Sequence, residues 1–569
     1  MSAYRLASPL TLETETNLEI YSPLLRQLLG QRGITTITEA QEFLNPSYEN
    51  HLHDPFLLHD MEIAVLRIVQ AIKNKELVAI YSDYDCDGIP GAVVLHDFFT
   101  AIGFTEFQNY IPHRHHEGFG FNCGAVDKLK KDGVSLIITI DCGTSDIDAI
   151  AYAKEVGIDV IITDHHEPKE ILPNAVAMVN PKIGTTYPFD GLCGSGVVFK
   201  LVQALIQKGK EEHIFELKEG WEKWWLDMVG LATIADMVPL VGENRALAHY
   251  GLQVLRRTKR PGLQQLLRKQ NASMRHLTED DIGFTIGPRI NAASRMDSPE
   301  DAFLMLSTID ESEAGATVAH LEKLNNERKG IVASMTKEAK KHLTQTEDTP
   351  NVIVLGNPLW RPSLVGLVAN KLAEEYNRPA FLWGRDGKGV IKGSCRSEGT
   401  TSVVTLMNQV PQLFLEYGGH HMSGGFAVHD DFIHTLHEVL NTAYTGLGNA
   451  AFIDEEIIVA AALSLEDITP TVLKELFSLA PFGVGNKKPL FMFENVTAKK
   501  VDVFGKTKEH TKLSFQTTGS AKEAIAFFRL PEDFKKIPKV DEQMTLYAHI
   551  EQSFFMGRLQ TRLRIVDIV

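Results

Sequence analysis

Short apolar segments alternate with segments of helical spacing between residues 77 and 163, and this alternation is the strongest constraint on the fold. Four apolar segments are each long enough for one strand: Leu77–Tyr81, Phe107–Ile111, Leu136–Ile140 and Val160–Thr163. Helical composition marks the segments between them, Gly91–Ala101, Ala125–Lys131 and Ile147–Val156. Strands joined through helices pair in parallel, which predicts an α/β domain with a doubly wound parallel sheet. A binding crevice in such a sheet lies beyond the carboxyl ends of its strands.

Three carboxylates follow the first predicted strand at alternate positions. Asp83, Asp85 and Asp87 stand in the run Ser-Asp-Tyr-Asp-Cys-Asp-Gly, and alternate side chains of an extended chain share a face. Converging carboxylates repel one another unless a cation compensates their charge, and oxygen ligands suit Mg²⁺ or Mn²⁺. The run fits an acidic turn before a helix equally well, because Asp favours N-caps and turns. Taken alone, it does not decide between the two interpretations.

The other predicted strand ends carry the same kinds of group. Asp141 ends one strand, and Asp164, His165 and His166 follow another. A single Asp at such a position is commonly a helix cap, whereas His is a frequent ligand of transition metals. Because three strand ends along one edge of the sheet bear acid or imidazole, we predict a metal site there rather than three separate caps.

A further carboxylate, Asp236, follows the apolar segment Leu231–Ala235 and is predicted to complete this cluster. Mixed carboxylate and imidazole ligands for two divalent cations, Mn²⁺ or Mg²⁺, fit the hydrolysis of a phosphoester by activated water. A zinc site would more usually be dominated by His or Cys. The residue types therefore predict metal-dependent cleavage of a phosphoester.

Composition excludes several classes of protein. The chain has 569 residues, a net charge of −16 and 44% hydrophobic residues, which is typical of a soluble globular protein of several domains. Its five cysteines contain no Cys-x-x-Cys pair, which suits a reducing cytoplasm, and we expect neither a secretory signal nor a membrane span. The acidic balance argues against general coating of duplex DNA, although residues 497–569 hold 13 basic and 9 acidic residues.

The motifs, in their order, resemble those of the DHH phosphoesterase superfamily. The carrying motifs are Asp-Tyr-Asp-x-Asp-Gly, Ile-Asp-Cys-Gly and Asp-His-His. The likeness to the single-strand-specific 5′ exonucleases of this superfamily covers essentially the full length, and includes SPLLRQLLGQRGI, PRINAASRMD, GGHHMSGGF and APFGVGNKKPLF. The resemblance implies a doubly wound DHH domain and a smaller α/β DHHA1 domain joined by a long helix, with a C-terminal β-barrel of the OB-fold.

The resemblance also divides the chain. Residues 1–310 would form an N-terminal helical segment and the DHH catalytic domain, and residues 311–348 the connecting helix. Residues 349–448 would form the DHHA1 substrate-binding domain, and residues 449–569 the OB-fold nucleic-acid-binding domain. Several short strand-like segments near the C-terminus agree with a small barrel.

Roles for individual residues follow from the resemblance. The implied metal ligands are Asp83, Asp85, Asp87, Asp141, His165 and Asp236, and the catalytic set adds His166. The implied substrate contacts are Arg289, Asn291, Arg295, Ser394, Arg396, Ser397 and His420. The chain departs from many relatives at Pro90, where they carry a hydroxyl residue, and at Arg361, where they carry His or Asn.

The C-terminal domain combines positive charge with aromatic rings. The residues are Lys499, Lys500, Lys506, Lys508, Lys512 and Arg529, with Phe504, Phe527 and Phe528. Such a mixture is typical of grooves that bind single strands by stacking on the bases. The same phenylalanines would also fill a barrel core, so the sequence does not assign individual stacking residues.

The function implied by the resemblance is a two-metal 5′-to-3′ exonuclease that releases mononucleotides from single-stranded DNA in repair and recombination. A single-strand-binding protein and a RecQ-type helicase would be its partners, and a monomer would suffice. One alternative is a DHH phosphatase or nanoRNase acting on small nucleotides or short oligonucleotides, whose usual members lack the C-terminal barrel. The other is an inactive binding module, against which the intact set of carboxylates and imidazole argues.

Overall fold

A computed structural model describes residues 4–345, 349–447, 456–505, 507–517, 521–555 and 557–569. Lys506 and the predicted domain boundaries at residues 348 and 448 fall outside this part of the chain. Within it, no helix is both long and apolar enough to cross a membrane.

The N-terminal segment contains one short strand followed by helices. These are β1 (Tyr4–Leu6), α1 (Leu12–Asn17), α2 (Pro23–Gly30), α3 (Ile37–Leu44), α4 (Tyr48–His51) and α5 (Met61–Asn74). Helix α3 begins with a capping box, in which the Thr36 side chain and the Glu39 side chain each accept a backbone N–H of the other residue. The strand exists because residues 4–6 pair in parallel with residues 457–459, close to the other end of the chain.

The first large domain is built on a parallel sheet. Its strands are β2 (Val78–Ser82), β3 (Phe107–Tyr110), β4 (Leu136–Ile140), β5 (Asp159–Thr163) and β6 (Ala177–Val179), in the order β3-β2-β4-β5-β6. Its helices are α6 (Gly88–Ala101), α7 (Cys123–Lys131), α8 (Ile147–Glu155) and α9 (Gly194–Glu211). Val78 and Ile80 enter the hydrophobic core on one face, and Ala79 and Tyr81 enter that on the other. The predicted doubly wound parallel sheet is confirmed.

A helical layer leads from this sheet to a long helix. Its members are α10 (Leu226–Ala235), α11 (Gly242–Leu255), α12 (Pro261–Lys269), α13 (Glu279–Asp281), α14 (Gly287–Met296) and α15 (Glu300–Ser307). Helix α16 (Glu311–Leu343) follows with 33 residues. The Asp310 side chain caps it by accepting the Glu313 backbone N–H at 2.8 Å. Acidic residues in its first turn and basic residues in its last match the helix macrodipole. The predicted long connecting helix is confirmed.

The second α/β domain is smaller. Its elements are β7 (Ile353–Gly356), α17 (Pro362–Tyr376), β8 (Ala380–Arg385), β9 (Ile391–Arg396), α18 (Val403–Asn408), β10 (Phe414–Gly419), β11 (Ser423–Val428) and α19 (Leu436–Gly446). The strands lie in the order β10-β11-β9-β8-β7, with β7 and β8 parallel and the other pairs antiparallel. The glycine-rich stretch 384–393 contains the end of β8, the hairpin turn at residues 386–390 and the start of β9.

The C-terminal part forms a seven-stranded sheet. Its elements are β12 (Ile457–Val459), β13 (Ala461–Ala462), α20 (Pro470–Ser478), β14 (Phe491–Thr497), β15 (Lys500–Phe504), β16 (His510–Phe515), β17 (Lys522–Ala526), β18 (Gln543–Phe555) and β19 (Arg558–Ile568). The sheet order is β13-β14-β18-β19-β17-β16-β15, and β12 pairs only with β1 among the described strands. Leu25, Leu28 and Leu29 of α2 share a core with Phe491 and Phe493, so the N-terminal helices pack on this sheet.

Candidate active site

The carboxyl ends of the central strands bring three aspartates side by side. Asp83 follows β2, Asp141 follows β4 and Asp164 follows β5. Each continues the parallel ladder by one residue: Asp83 N donates to Ile140 O at 3.0 Å, and Asp141 N donates to Thr163 O at 2.9 Å. Asp141 then leaves the strand with φ +60, in the left-handed region that Asp tolerates better than most residues. The predicted gathering of strand-end acids is therefore present in the structure.

Asp85 and Asp87 lie in the turn between β2 and α6. One Asp85 oxygen accepts the backbone N–H of Asp87 at 2.8 Å and of Gly88 at 3.2 Å, which is the arrangement of an Asp in a turn directly before a helix. Asp87 is held from the opposite side, because Gly194 N and Ser195 N at the start of α9 donate to its two oxygens at 2.6 and 2.7 Å. Both interpretations of the sequence therefore apply, because Asp85 and Asp87 belong to a turn before a helix and to the cluster of carboxylates.

Asp236 reaches the cluster from the end of α10, as the sequence predicted. Burial and the charges of Asp87 and Asp85 raise the pKa of Asp236 to about 9. Burial and the charge of neighbouring aspartates likewise raise the pKa of Asp83 and of Asp141 well above the usual range. Carboxylates packed so closely out of water cannot all be ionised without a compensating positive charge.

His165 occupies the centre of these acids. Its Nε2 lies 3.2 Å from Asp141 Oδ1 and 3.7 Å from an oxygen of both Asp87 and Asp236. Burial lowers the pKa of His165 against the charge of Asp87, which favours the neutral imidazole that binds metals. The chemistry of the donor set matches a divalent cation.

Three overlapping groups of side chains have ligand atoms within 4.8 Å of one another. They are Asp83, Asp85 and Asp141; Asp87, His165 and Asp236; and Asp141, His165 and His166. One oxygen of Asp83 and one of Asp141 are buried with no hydrogen-bond partner among the described residues. The lone pairs of these two oxygens need a positively charged partner, so the residues present fit bound cations. The cluster has enough oxygen and nitrogen ligands for two divalent cations.

His166 has a different environment from His165. Its Nδ1 lies 2.7 Å from Asp164 Oδ1, and Asp164 also accepts backbone N–H groups from Thr144 and His165. These bonds hold the pKa of Asp164 below its usual range although burial opposes this. Burial would lower the pKa of His166, but the hydrogen bond and charge of Asp164 prevail and raise it to about 9. The contact with Asp164 favours the protonated imidazole of His166, which suits contact with a phosphate.

A group of arginines faces this cluster. The Cζ atom of Arg114 lies 4.8 Å from the centre of the Tyr84 ring. Arg295 Nη1 donates to Ser363 O at 2.7 Å, and Arg396 Nη1 donates to Cys395 O at 2.7 Å. Among the described residues no carboxylate pairs with any of the three. Burial and the charges of Arg114 and Arg396 lower the pKa of Arg295 to about 9. Guanidinium groups gathered without a counter-charge form a site for an anion such as phosphate.

The second domain reaches this anion site through Arg396 and His420. A Cβ on Gly366 of α17 would lie 3.1 Å from Arg396 Nη2 and 3.2 Å from Ser394 Oγ. His420, at the end of β10, brings its ring to 6.4 Å from the ring of His166. Arg396 and His420 of the second domain therefore lie close to residues of the first domain, and Ser394 lies next to Arg396.

The other predicted substrate residues have partners inside the protein. Arg289 is 3% exposed, and its nitrogens donate to Glu322, Gln270 and Thr285 O. Asn291 Oδ1 accepts the Cys86 backbone N–H at 3.0 Å and so steadies the acidic turn. Ser397 Oγ accepts the Gly399 N–H at 3.0 Å in the turn after β9. Arg289, Asn291 and Ser397 therefore form hydrogen bonds within the protein near the site.

The two departures from the superfamily pattern are both accommodated. Pro90 lies in the first turn of α6, where no helical N–H is lost. Arg361 is the exposed N-cap of α17, and its Nη1 lies 4.0 Å from Met296 Sδ. Neither displaces a member of the acidic cluster.

Comparison with known proteins agrees with this architecture. The sequence matches the DHH family, N-terminal domain, over residues 77–233, the DHHA1 domain over residues 349–444, and the RecJ OB domain over residues 459–567. It is 32% identical over 526 residues to the single-stranded-DNA-specific exonuclease RecJ of Haemophilus influenzae, and the match covers 89% of each chain. The chain belongs to the RecJ exonuclease family.

Two further RecJ proteins extend the comparison. Identity to RecJ of Bacillus subtilis is 36% over 513 residues, which is 89% of this chain and 63% of that protein. The chain thus spans less than two thirds of the length of that relative. The crystal structure of Thermus thermophilus RecJ in complex with Mn²⁺ superposes with a TM-score of 0.81 at 26% identity, over all of this chain and 79% of that one. The predicted DHH, DHHA1 and OB-fold domains are confirmed.

Arg114 is the residue that sequence reasoning missed. It follows β3, the remaining strand next to β2, and so lies at the same sheet edge as the strand-end acids. The signal was available, because the rule that drew attention to the ends of the other strands applies to β3 as well.

Proposed function

We propose that this protein is a metal-dependent exonuclease that hydrolyses single-stranded DNA from the 5′ end and releases 5′-mononucleotides. The observation that carries the proposal is the pairing of a buried acidic cluster with a cluster of unpaired arginines at one cleft between two domains. The names of the relatives, single-stranded-DNA-specific exonuclease RecJ, support the substrate class. The Mn²⁺ in the Thermus thermophilus RecJ complex supports the cofactor class.

The acidic cluster would hold two divalent cations, Mn²⁺ or Mg²⁺. The proposed ligands are Asp83, Asp85, Asp87, Asp141, His165 and Asp236. When bound, such cations supply positive charge that activates water and stabilises charge on phosphoryl oxygens. Gly194 N and Ser195 N fix the Asp87 carboxylate from behind, so it keeps its orientation without rearrangement on binding.

His166 would act on the scissile phosphate directly. Asp164 holds its Nδ1 at 2.7 Å, which leaves the protonated Nε2 as a donor towards a phosphoryl oxygen. A donor that is already charged and oriented adds to the stabilisation of the developing negative charge. We therefore assign it, with Asp85, Asp87, Asp141, His165 and Asp236, to the catalytic set.

The arginine cluster would bind the 5′-terminal phosphate. Arg114, Arg295 and Arg396 supply guanidinium donors, and Ser394 and His420 add polar groups from the second domain. A strand held at its terminal phosphate presents its first internal phosphodiester to the acidic cluster, which accounts for release of single nucleotides. Arg289, Asn291 and Ser397 are proposed to support these residues rather than to contact DNA themselves.

The wider role follows from the family. We propose that the enzyme acts as a cytoplasmic monomer in DNA repair and recombination, with a single-strand-binding protein and a RecQ-type helicase supplying the strand. Its cysteines are free, and all but Cys123 are buried, which suits a reducing compartment. Light scattering of the pure protein tests the monomer, and stimulation of degradation by each purified partner tests the interactions.

Dependence on the terminal phosphate tests the proposed site. Oligonucleotides with a 5′-phosphate and with a 5′-hydroxyl would be degraded in Mn²⁺ by the wild-type enzyme, by Arg396→Gln and by the double variant Asp85→Ala, Asp141→Ala. We expect the wild type to prefer the phosphorylated strand, Arg396→Gln to lose that preference and the double variant to be inactive. Cleavage of dinucleotides with none of longer strands would instead favour the small-substrate phosphatase or nanoRNase.

A further inference from the structure

One face of helix α14 runs along the proposed site. Asn291 Oδ1 accepts the backbone N–H of Cys86 at 3.0 Å, and a Cβ on Gly287 would lie 3.7 Å from Cys86 Sγ. Arg295, four residues after Asn291, belongs to the arginine cluster. Because residues three or four apart lie on one face of a helix, Gly287, Asn291 and Arg295 share a face. This face therefore extends from the arginine cluster, at Arg295, to the acidic turn, at Cys86.

The same face continues past the acidic turn to an exposed phenylalanine. Phe284 lies three residues before Gly287, in the π-helical turn Ile282–Ile286 that leads into α14. The isoleucines at the two ends of this turn are completely buried, whereas Phe284 is 69% exposed. The helix between Phe284 and Arg295 is roughly 15 Å long, and the residues that meet the acidic turn lie between them. A π-helical turn is a frequent feature of functional sites.

A second exposed apolar side chain, Met237, directly follows Asp236 of the acidic cluster. It is 68% exposed, and its φ of +62 lies in the left-handed region, at the position after a helix end where glycine is most frequent. A side chain there strains the backbone, and no burial of Met237 offsets the strain. A Cβ on Gly287 would lie 3.9 Å from Ala235 Cβ, so the start of α14 meets the end of α10. Met237 and Phe284 both lie within one helical turn of this contact.

We propose that Phe284 and Met237 form an apolar platform on which the bases immediately 3′ of the scissile phosphate stack. The inference rests on the proposed function and deepens it. With the terminal phosphate at Arg295 and the scissile phosphate at the acidic cluster, the rest of the strand leaves the cluster on the side away from Arg295, where the platform lies. Stacking on an aromatic ring accepts any base, because every base has a π-face. The platform therefore holds the strand without selecting its sequence.

Degradation of an intact strand and of a partly abasic strand tests the platform. Both strands are 5′-phosphorylated oligothymidylates, and the abasic one lacks the bases of its second, third and fourth nucleotides. Steady-state kinetics in Mn²⁺ would compare the wild type with Phe284→Ala, Phe284→Tyr and Met237→Asn, since Asn tolerates the left-handed backbone. Ile309→Ala is the control, because Ile309 is an apolar residue, 93% exposed, in the turn before α16. Thermal unfolding with and without Mn²⁺ checks that each variant is folded and still binds the cation.

We expect Phe284→Ala to raise KM for the intact strand by about 5- to 100-fold and to leave kcat nearly unchanged, because a stacking contact with the bound strand is lost. On the abasic strand the KM of this variant should differ from that of the wild type by about twofold at most, since no base is there to stack. Met237→Asn should show a smaller rise in KM, confined to the intact strand. Phe284→Tyr, which keeps an aromatic ring, and Ile309→Ala should behave like the wild type on both strands.

Two results would overturn the inference while leaving the proposed function intact. One is an unchanged KM of Phe284→Ala for the intact strand. The other is an equal rise in KM for the intact and the abasic strand, which would show that the substitution disturbs the site without removing a contact to a base. Failure of the proposed function would look different, because the wild type would then degrade neither strand from its 5′ end.

Discussion

Arg295 and Ser363 exchange two hydrogen bonds across the cleft. Arg295 Nη1 donates to Ser363 O at 2.7 Å, and Ser363 Oγ donates to Arg295 O at 2.9 Å. Arg295 belongs to α14 of the metal-binding domain, and Ser363 to the first turn of α17 in the second domain. This exchange fixes Arg295, one of the proposed phosphate-binding arginines, relative to the domain that supplies Arg396.

The arginine cluster should determine affinity for the 5′ end. We predict that Arg396→Gln raises KM for a 5′-phosphorylated strand by about 10- to 100-fold, because a charge-assisted bidentate contact is lost. For a 5′-hydroxyl strand the change should be small. Arg385→Gln is the matched control, since Arg385 lies in the same domain and pairs with Asp430 near the surface. Steady-state kinetics on both strands give the answer, and an equal loss on both would exclude a terminal-phosphate role.

We predict that Asp141 binds the cations and that its carboxyl group destabilises the folded protein when the cations are absent. Asp141→Asn should lower activity by at least about 100-fold. In a chelator the variant should unfold at a higher temperature than the wild type, because it removes a carboxyl group that burial and neighbouring aspartates make costly to ionise, as its raised pKa shows. The increase in Tm that Mn²⁺ gives the wild type should shrink in the variant. Asp190→Asn, at an exposed position, should behave like the wild type in all three measurements.

The close approach of α9 to the acidic cluster depends on a glycine. A Cβ on Gly194 would lie 2.6 Å from Asp141 Cβ, whereas a Cβ on Gly196 would meet nothing closer than 3.5 Å. We predict that Gly194→Ala destabilises the fold by about 1–3 kcal/mol and abolishes activity. Gly196→Ala should be stable and active, because Ala favours a helix interior. Urea unfolding and degradation assays on both variants test this, and an active Gly194→Ala enzyme would contradict the packing argument.

His249 should make stability depend on pH. It accepts the Gln253 Nε2–H at 2.8 Å in a half-buried position, and burial with the charges of Arg245 and Arg256 lowers its pKa to about 4. The pKa of a free His is about 6.5, so below that pH the unfolded chain takes up a proton that the folded chain refuses. The free energy of unfolding therefore falls as the pH falls from about 6.5 to about 4, by roughly 1–2 kcal/mol after allowance for partial exposure.

The test compares His249→Gln with the wild type in urea at a pH of about 7 and about 4.5. The variant should lose less stability over this interval, by the same roughly 1–2 kcal/mol. His434→Gln, at an exposed position, should lose as much as the wild type. Identical losses for wild type and His249→Gln would show that His249 is not the group responsible.

The sequence predicted the sheet and its acidic edge because both depend on local patterns. Apolar runs of strand length locate β2, β4 and β5, and Asp83, Asp141 and His165 follow from the rule about strand ends. Arg114 obeys the same rule and was overlooked only because a single arginine after a weaker strand resembles an ordinary surface residue.

Contacts between residues far apart in the sequence could not be predicted from local sequence patterns. No local signal indicates that residues 4–6 pair with residues 457–459, or that Leu28 shares a core with Phe491, because such pairing depends on the assembled chain. Arg289 is the opposite case, since its motif suggested substrate contact while Glu322 and Gln270 engage its donors. Whether a hydrogen-bond donor already has an acceptor depends on its neighbours in the folded protein, and a sequence motif does not show those neighbours.

The polarity of degradation is the most direct test of the proposed 5′-to-3′ exonuclease. Single strands labelled at the 5′ end or at the 3′ end, and a duplex control, would be incubated with Mn²⁺ and the wild type or the variant Asp85→Ala, Asp141→Ala. We expect immediate release of a labelled mononucleotide from the 5′-labelled strand, gradual shortening of the 3′-labelled strand, an intact duplex and no reaction in the variant. Immediate loss of the 3′ label, or degradation by the variant, would contradict the proposed function.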